Sequence, residues 1–249
     1  MKIEYQIEIY RTGELSLKGR YAFDGYDPDG EYPYAMFVYV VRAPKMPPIL
    51  IDTGPRSIEE INKGIEGLVI QPVVQRPGED ILSIMRKADL KPENIGYVFF
   101  THMHYDHVTN VHLFPNARIV ASRVGFEEGC RRSATWIPGE ILFPMQNEWK
   151  DRVLLVHEEE VLPGIRTMWF GGHTPCSMGI AINTSKGTAM ITGDVVSKYA
   201  NIEMDIPIGV YENRDQVMSA MSRIRDEADI VIPSHDPAVL ERIPGGILR

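Results

Sequence analysis

Apolar positions along this chain fall into short unbroken runs. MFVYVV (36–41), PILID (48–52), IGYVFF (95–100), ARIVAS (117–122), IRTMWF (165–170), GIAINT (179–184), TAMITGD (188–194) and ADIVIPS (228–234) predict strands. Several are apolar at successive residues, the pattern of strands buried on both faces. SKG at 185–187 predicts a hairpin turn between two of them. The period changes to that of a helix in EDILSIMRKADL, where Ile81, Met85 and Ala88 share a face. It does so again in NRDQVMSAMSRIRDEA, where Val217, Met221, Ile224 and Ala228 align and Asn213 with Gln216 resembles a capping box. Polar stretches at 24–34, 43–48 and 135–149 predict loops. Strand clusters with helices outside predict a layered α/β fold. Two halves of similar content are conceivable, but no sequence repeat supports them.

Composition narrows the function classes. The 249 residues are 44% hydrophobic and 24% charged, an ordinary globular balance with enough chain for a large core. With 26 Lys+Arg against 34 Asp+Glu the net charge is −8, which disfavours a nucleic-acid partner. The start MKIEYQIEIY lacks a signal-peptide layout and no run of 18 apolar residues occurs, so neither membrane nor export is expected. The two cysteines, Cys130 and Cys176, argue against a disulfide scaffold and for the cytoplasm.

Histidine carries the chemistry. Four of the seven crowd into FFTHMHYDHVTNVHLF, behind a buried strand, at the strand end where α/β proteins place their sites. His102 and His104 can direct two imidazoles at one metal, while Asp106 and His107 can serve a second; nitrogen and oxygen donors suit zinc and its first-row relatives. Three later strands each deliver one further donor at their ends: His173 in WFGGHTPCS, Asp194 in TAMITGD and His235 in ADIVIPSHD.

THMHYDH, GGHTP, TGD and PSHD, with IDTG at 51–54, resemble the ordered motifs of the metallo-β-lactamase superfamily, from about Met36 to His235. In length and motif set the chain is most similar to the N-acyl homoserine lactone lactonases. The resemblance implies a single domain over 1–249 with a four-layer αββα sandwich. It implies one metal on His102, His104 and His173, a second on Asp106, His107 and His235, and Asp194 bridging them. Two divalent ions are implied, zinc first, with iron or manganese as alternatives. Only fourteen residues follow His235, which leaves no room for the appended domains of thioesterase and flavodiiron relatives. The pattern departs from the lactonases in two places. Gly171 and Cys176 replace a Pro and a Gly around His173, and Ser197 stands where those enzymes carry a substrate-contacting Tyr, the nearest being Tyr199.

The implied activity is opening of a lactone with an apolar portion by water activated between the two metals. Asp106 also steers the proton, and Ser197 and Tyr199 are candidates for substrate contact. The alternatives are hydrolysis of an amide, thioester or phosphodiester, or metal binding without turnover. Oligomeric state is open, a dimer included. Other residues are expected to be plain: His112 packing or capping, His157 solvated, Cys176 a small packed residue, and Asp52 holding a loop through backbone N–H groups. Aromatics at 21–34, with Trp136, Phe143 and Trp149, either wall a substrate cleft or cover the sandwich. Arg131 and Arg132 either greet a carboxylate or stay solvated.

Overall fold

The computed structural model describes residues 3–131 and 137–249. Its strands are β1 (Gln6–Lys18), β2 (Glu31–Arg42), β3 (Ile49–Ile51), β4 (Val69–Val74), β5 (Tyr97–Phe99), β6 (Arg118–Ser122), β7 (Val153–Val156), β8 (Glu160–Leu162), β9 (Ile165–Trp169), β10 (Met178–Thr184), β11 (Gly187–Ile191), β12 (Ile230–Ile232) and β13 (Ile247–Leu248). One sheet runs β13-β1-β2-β3-β5-β6-β7 with β4 added on β1, and the other runs β12-β11-β10-β9-β8.

Three apolar layers hold the stack together. Between the sheets lie Ile7, Tyr39, Ile51, Ile180 and Ile191. Ile84, Met85, Ile141 and Met145 seat the helices Ile81–Lys87 and Gly139–Gln146 on the larger sheet. Val217, Met221 and Ile224 seat the helix Arg214–Glu227 on Met168 and Met190 of the smaller one. The fold is therefore the expected four-layer αββα sandwich, its layers sealed by burial of whole apolar faces.

Every predicted strand and both predicted helices form, and Ser185–Lys186 turns the β10–β11 hairpin with Thr184 opposite Gly187. The boundaries of two expected loops need correction. Residues 31–34 extend β2, and 139–146 form a helix that tolerates Pro144 near its end. Half of the suspected capping box is present: Asn213 accepts the Gln216 N–H at 3.1 Å, but the Gln216 side chain turns to the Gly172 N–H at 2.9 Å.

The 13-residue β1 was not foreseen, because its alternation of apolar and polar residues breaks in the middle, between Arg11 and Gly13. It pairs with β2 along its length, with an extra residue at Thr12 between the Arg11–Phe37 and Gly13–Met36 pairs. One inserted residue flips every later side chain to the other face. Ile7 and Ile9 enter the core between the sheets, whereas Leu15, opposite Tyr34, and Leu17 turn outward to line a cavity.

Candidate functional site

The parallel pairs β3–β5 and β11–β12 align their C-terminal ends, and the chain leaving those ends carries Asp52, the 101–107 segment, Asp194 and His235. His173 arrives on the loop after β9. All seven donors picked out in the sequence converge there, in two groups able to hold a metal: His102, His104, His173 and Asp194, and Asp106, His107 and His235.

In the first group His104 presents Nδ1, 3.0 Å from His102 Nε2 and 3.1 Å from His173 Nε2. Tetrahedral zinc with bonds of 2.0–2.1 Å sets its ligand atoms about 3.3 Å apart. Asp194 Oδ2 lies 3.6 Å from His102 Nε2 and 3.7 Å from His173 Nε2. In the second group Asp106 Oδ2 stands 3.3 Å from His107 Nε2 and 3.9 Å from His235 Nε2. Asp194 Oδ1 is 3.5 Å and 3.1 Å from those same nitrogens. Asp194 thus lies between the groups: Oδ1 faces the second, and Oδ2 is within reach of both, 3.2 Å from His235 Nε2.

The far side of each ring fixes which nitrogen is free. His173 Nδ1–H donates to the Val210 carbonyl at 2.7 Å and His235 Nδ1–H to that of Ala35 at 2.9 Å. His107 Nδ1–H donates to Asp52 Oδ2 at 2.7 Å. Their Nε2 lone pairs therefore point at the centre. Asp52 does more than the backbone role expected of it: Oδ1 accepts Thr101 N–H at 2.9 Å, and Oδ2 accepts the Thr101 hydroxyl at 2.7 Å besides His107. Among the described residues, His107 Nε2 and Asp194 Oδ1 are buried with no hydrogen-bond partner. A native fold seldom leaves such atoms bare, so converging, orphaned N and O donors fit a pair of divalent cations.

The protonation pattern divides the groups. Burial, reinforced by neighbouring histidines, drives His102 well below its usual range, and burial with His173 brings His104 down to about 3. For His107 burial works the other way from Asp106, Asp52 and Asp194, and the carboxylates win, raising it well above 6.5. His235 is raised because Asp194 outweighs burial. Burial would raise Asp194 and Asp106, yet the histidines around them prevail, holding Asp194 well below the carboxylate range and Asp106 at about 2.

A glycine pair shapes the His173 loop. Gly171 and Gly172 have φ of +60° and +77°, and a Cβ on Gly172 would lie 2.8 Å from the Val217 nitrogen. The loop is pressed onto the start of helix Arg214–Glu227, whose Gln216 grips it. Cys176, also in this loop, is buried and takes the Met103 N–H on Sγ at 3.2 Å, tying it to the 101–107 segment; burial pushes its thiol up to about 12.

Above the donors opens a cavity of about 840 Å³. Leu15, Leu17, Met36, Ile61, Ile65 and Leu68 form an aliphatic wall, and Arg56, Glu60, Tyr105 and Glu140 form a polar side. The aromatic segments contribute little. Tyr21 and Tyr34 reach the cavity, while Phe23 and Tyr32 pack on each other with centroids 4.9 Å apart. Phe143 is exposed, Trp149 packs against the outer core, and Trp136 and Arg132 lie outside the described residues. Arg131 pairs loosely with Glu127 and Glu128, both at 3.8 Å. Ser197 lines the cavity. Tyr199 does not: the helix Tyr199–Met204 turns its ring under Arg242, with the guanidinium carbon 3.7 Å from the ring centre. His112 donates to the Thr109 carbonyl at 3.2 Å, and His157 is exposed. Tyr34 and Tyr21 take the wall position expected of the 21–34 aromatics, whereas Tyr105 and Arg56 were not anticipated; they reach the site through helix packing that no local motif signals.

Three comparisons bear on this geometry. The family model described as the Metallo-beta-lactamase superfamily matches residues 33–235. An N-acyl homoserine lactonase of Bacillus cereus is 28% identical over 200 residues, 76% of each chain, and one of a Bacillus species is 27% identical over the same shares. A solved structure of a B. thuringiensis AiiA variant, with N-decanoyl-L-homoserine bound at its active site, superposes with a TM-score of 0.82 at 21% identity, covering 97% of both chains.

Proposed function

Because the chain belongs to the metallo-β-lactamase superfamily, we propose that it is a two-metal hydrolase that opens lactones bearing an apolar tail. The observation that carries this reading is the placement of Asp194 between the two donor groups, within 4 Å of histidines of both, beneath a cavity with an aliphatic wall. His102, His104 and His173 would hold one cation and Asp106, His107 and His235 the other, with Asp194 shared. Two such cations acidify a bound water and polarise an acyl carbonyl. The protein's own part is to fix the donors and shape the cleft. Asp52, Val210 and Ala35 lock three imidazoles with Nε2 inward. Asp106, held anionic beside His107, stands at the cavity face where a proton must be moved. Leu15, Leu17, Ile61, Ile65 and Leu68 exclude water and favour a hydrocarbon chain. The sequence similarity to N-acyl homoserine lactonases supports the same substrate class. No described helix is long and apolar enough to cross a membrane.

The test is proton release on ring opening, followed with a pH indicator in weak buffer, across γ-lactones with and without N-acyl tails. The zinc-loaded protein should turn over the tailed lactones faster, and a chelator should abolish the rate until zinc is returned. Asp194→Ala should lose the activity and at least one metal per chain together. Inert lactones alongside turnover of a thioester or phosphodiester would replace the lactonase reading with another hydrolase of the superfamily.

A further inference from the structure

The polar side of the cavity holds one permanent cation. Among the described residues that line it, Arg56 is the sole lysine or arginine. Its root is fixed. The Arg56 N–H donates to Thr109 Oγ1 at 2.9 Å, and that hydroxyl donates to the Tyr105 carbonyl at 2.8 Å. Arg56 is thereby tied to the helix Tyr105–Val108, which carries Asp106 and His107. Its head is steered by carboxylates from two other helices, Ile58–Ile65 and Gly139–Gln146. Arg56 Nη2–H donates to Glu140 Oε1 at 3.2 Å and, more loosely, to Glu60 Oε2 at 3.5 Å. Glu60 Oε2 also accepts the Tyr105 hydroxyl. Tyr105 stands in the chain between the donors His104 and Asp106, so this network is rooted at the donor end of the cavity.

A guanidinium offers five N–H donors. Here only one nitrogen is engaged; among the described residues Nε and Nη1 have no hydrogen-bond partner. The side chains of Arg56, Glu60 and Glu140 are 42%, 52% and 40% exposed. Ion pairs so exposed contribute little stability, so stability does not account for a charge held inside an otherwise aliphatic cleft. The division does fit a ligand with a polar atom on one flank of a hydrocarbon chain. That atom must be an acceptor, since arginine only donates. It must also be neutral, because Glu60 and Glu140 flank the single guanidinium and would repel a ligand carboxylate.

We infer that Arg56 is a specificity-determining residue that donates to a neutral carbonyl or hydroxyl oxygen on the acyl tail, near the lactone end. The protein then prefers oxygenated tails to saturated tails of equal length. This rests on the lactonase reading above and names the tail chemistry within it. Arg56 makes and breaks no bond; it orients the tail against the aliphatic wall.

The test crosses the zinc-loaded wild type, Arg56→Met and Arg56→Lys with three N-acyl lactones of equal tail length. One tail is saturated, one carries a carbonyl oxygen beside the amide, and one ends in a carboxylate. The readouts are kcat and KM, calorimetric affinity for the three ring-opened compounds, metal per chain and melting temperature. The wild type should favour the oxo tail over the saturated one by about tenfold in kcat/KM, mainly through KM, as one charge-assisted hydrogen bond at a partly exposed site would give. The ring-opened compounds should bind in the same order. Arg56→Met should bring both ratios to about one, whereas Arg56→Lys, which keeps a charged donor, should retain a preference. Metal content and melting temperature should stay at the wild-type values. A wild-type ratio near one, a ratio that Arg56→Met leaves unchanged, a preference for the carboxylate tail, or metal lost together with the preference would each overturn the role of Arg56 and leave the lactonase reading intact. A wild type that neither turns over any of the three lactones nor binds their ring-opened forms would overturn both.

Discussion

Asp52 sits at φ +56°, a conformation that a short polar side chain tolerates. One carboxylate there serves the Thr101 backbone, the Thr101 hydroxyl and His107 Nδ1. Asp52→Ala would leave two buried donors of Thr101 bare and free the His107 ring to turn. A stability loss of about 1–3 kcal/mol is expected in denaturant unfolding, with affinity for one of two metals falling by about 10- to 100-fold, the usual effect of losing a carboxylate behind a metal-binding imidazole. Equal loss of both metals would contradict this role. Protons should discriminate between the groups as well. His102 and His104 are held below their usual range, so a metal meets little proton competition at these two imidazoles. His107 and His235 are raised and keep a proton that an entering metal must expel. Binding at that group, where two imidazoles are raised, should weaken more steeply as pH falls through the neutral range than binding at the group that holds His102 and His104. Zinc competition titrations from pH 7.5 to 5.5 should therefore show one ion leaving before the other, whereas joint departure would argue against the division. The cysteines separate in the same manner. Cys176, raised to about 12, has roughly one thiolate in 10⁴ at pH 8, while Cys130 is exposed. A thiol reagent should modify one cysteine per native chain and two after unfolding.

The loop carrying His173 shows how an element rather than a side chain sets a ligand. Its two glycines take left-handed backbone and lie against Gln216 and Val217 of the helix Arg214–Glu227. Gly172→Ala would combine left-handed strain with a Cβ 2.8 Å from the Val217 nitrogen. The strain alone is worth about 1–3 kcal/mol, so the variant should melt lower and lose metal from the His173 group. Unchanged metal content would show that the loop can shift without moving its histidine. The bulge at Thr12 is the second such device, since it hands Leu15 and Leu17 from the core to the cavity. Here the limits of sequence reading are physical. The runs at 36–41 and 95–100 announce themselves because burial on both faces leaves no charged residue in them. β1 hides because its exposed face is charged and its bulge breaks the period. The donors were legible because H-x-H-x-D-H and three strand ends carry rare residue types. Tyr34 was legible only as one of several aromatics that could wall a cleft; its stacking on His235 was not, because it depends on the Ala35–His235 pairing across 200 residues.

At the scale of the whole molecule the donors come from both sheets. The 102–107 segment follows β5 of the larger sheet, and His173, Asp194 and His235 follow strands of the smaller. Metals held there would pin the two sheets at one edge, where orphaned donors otherwise face each other. Stripping them with a chelator should lower the melting temperature. The loss is about 4 kcal/mol when free metal exceeds its dissociation constant a thousandfold. The aliphatic cavity gives a lining for a hydrocarbon tail. The central claim is that these seven side chains form a two-metal centre. Native mass spectrometry of the protein, titrated with zinc and exchanged into volatile buffer, tests it most directly. Two ions retained per chain, falling to one or none in Asp194→Ala, is the predicted result; a ceiling of one ion per chain under excess zinc would contradict it.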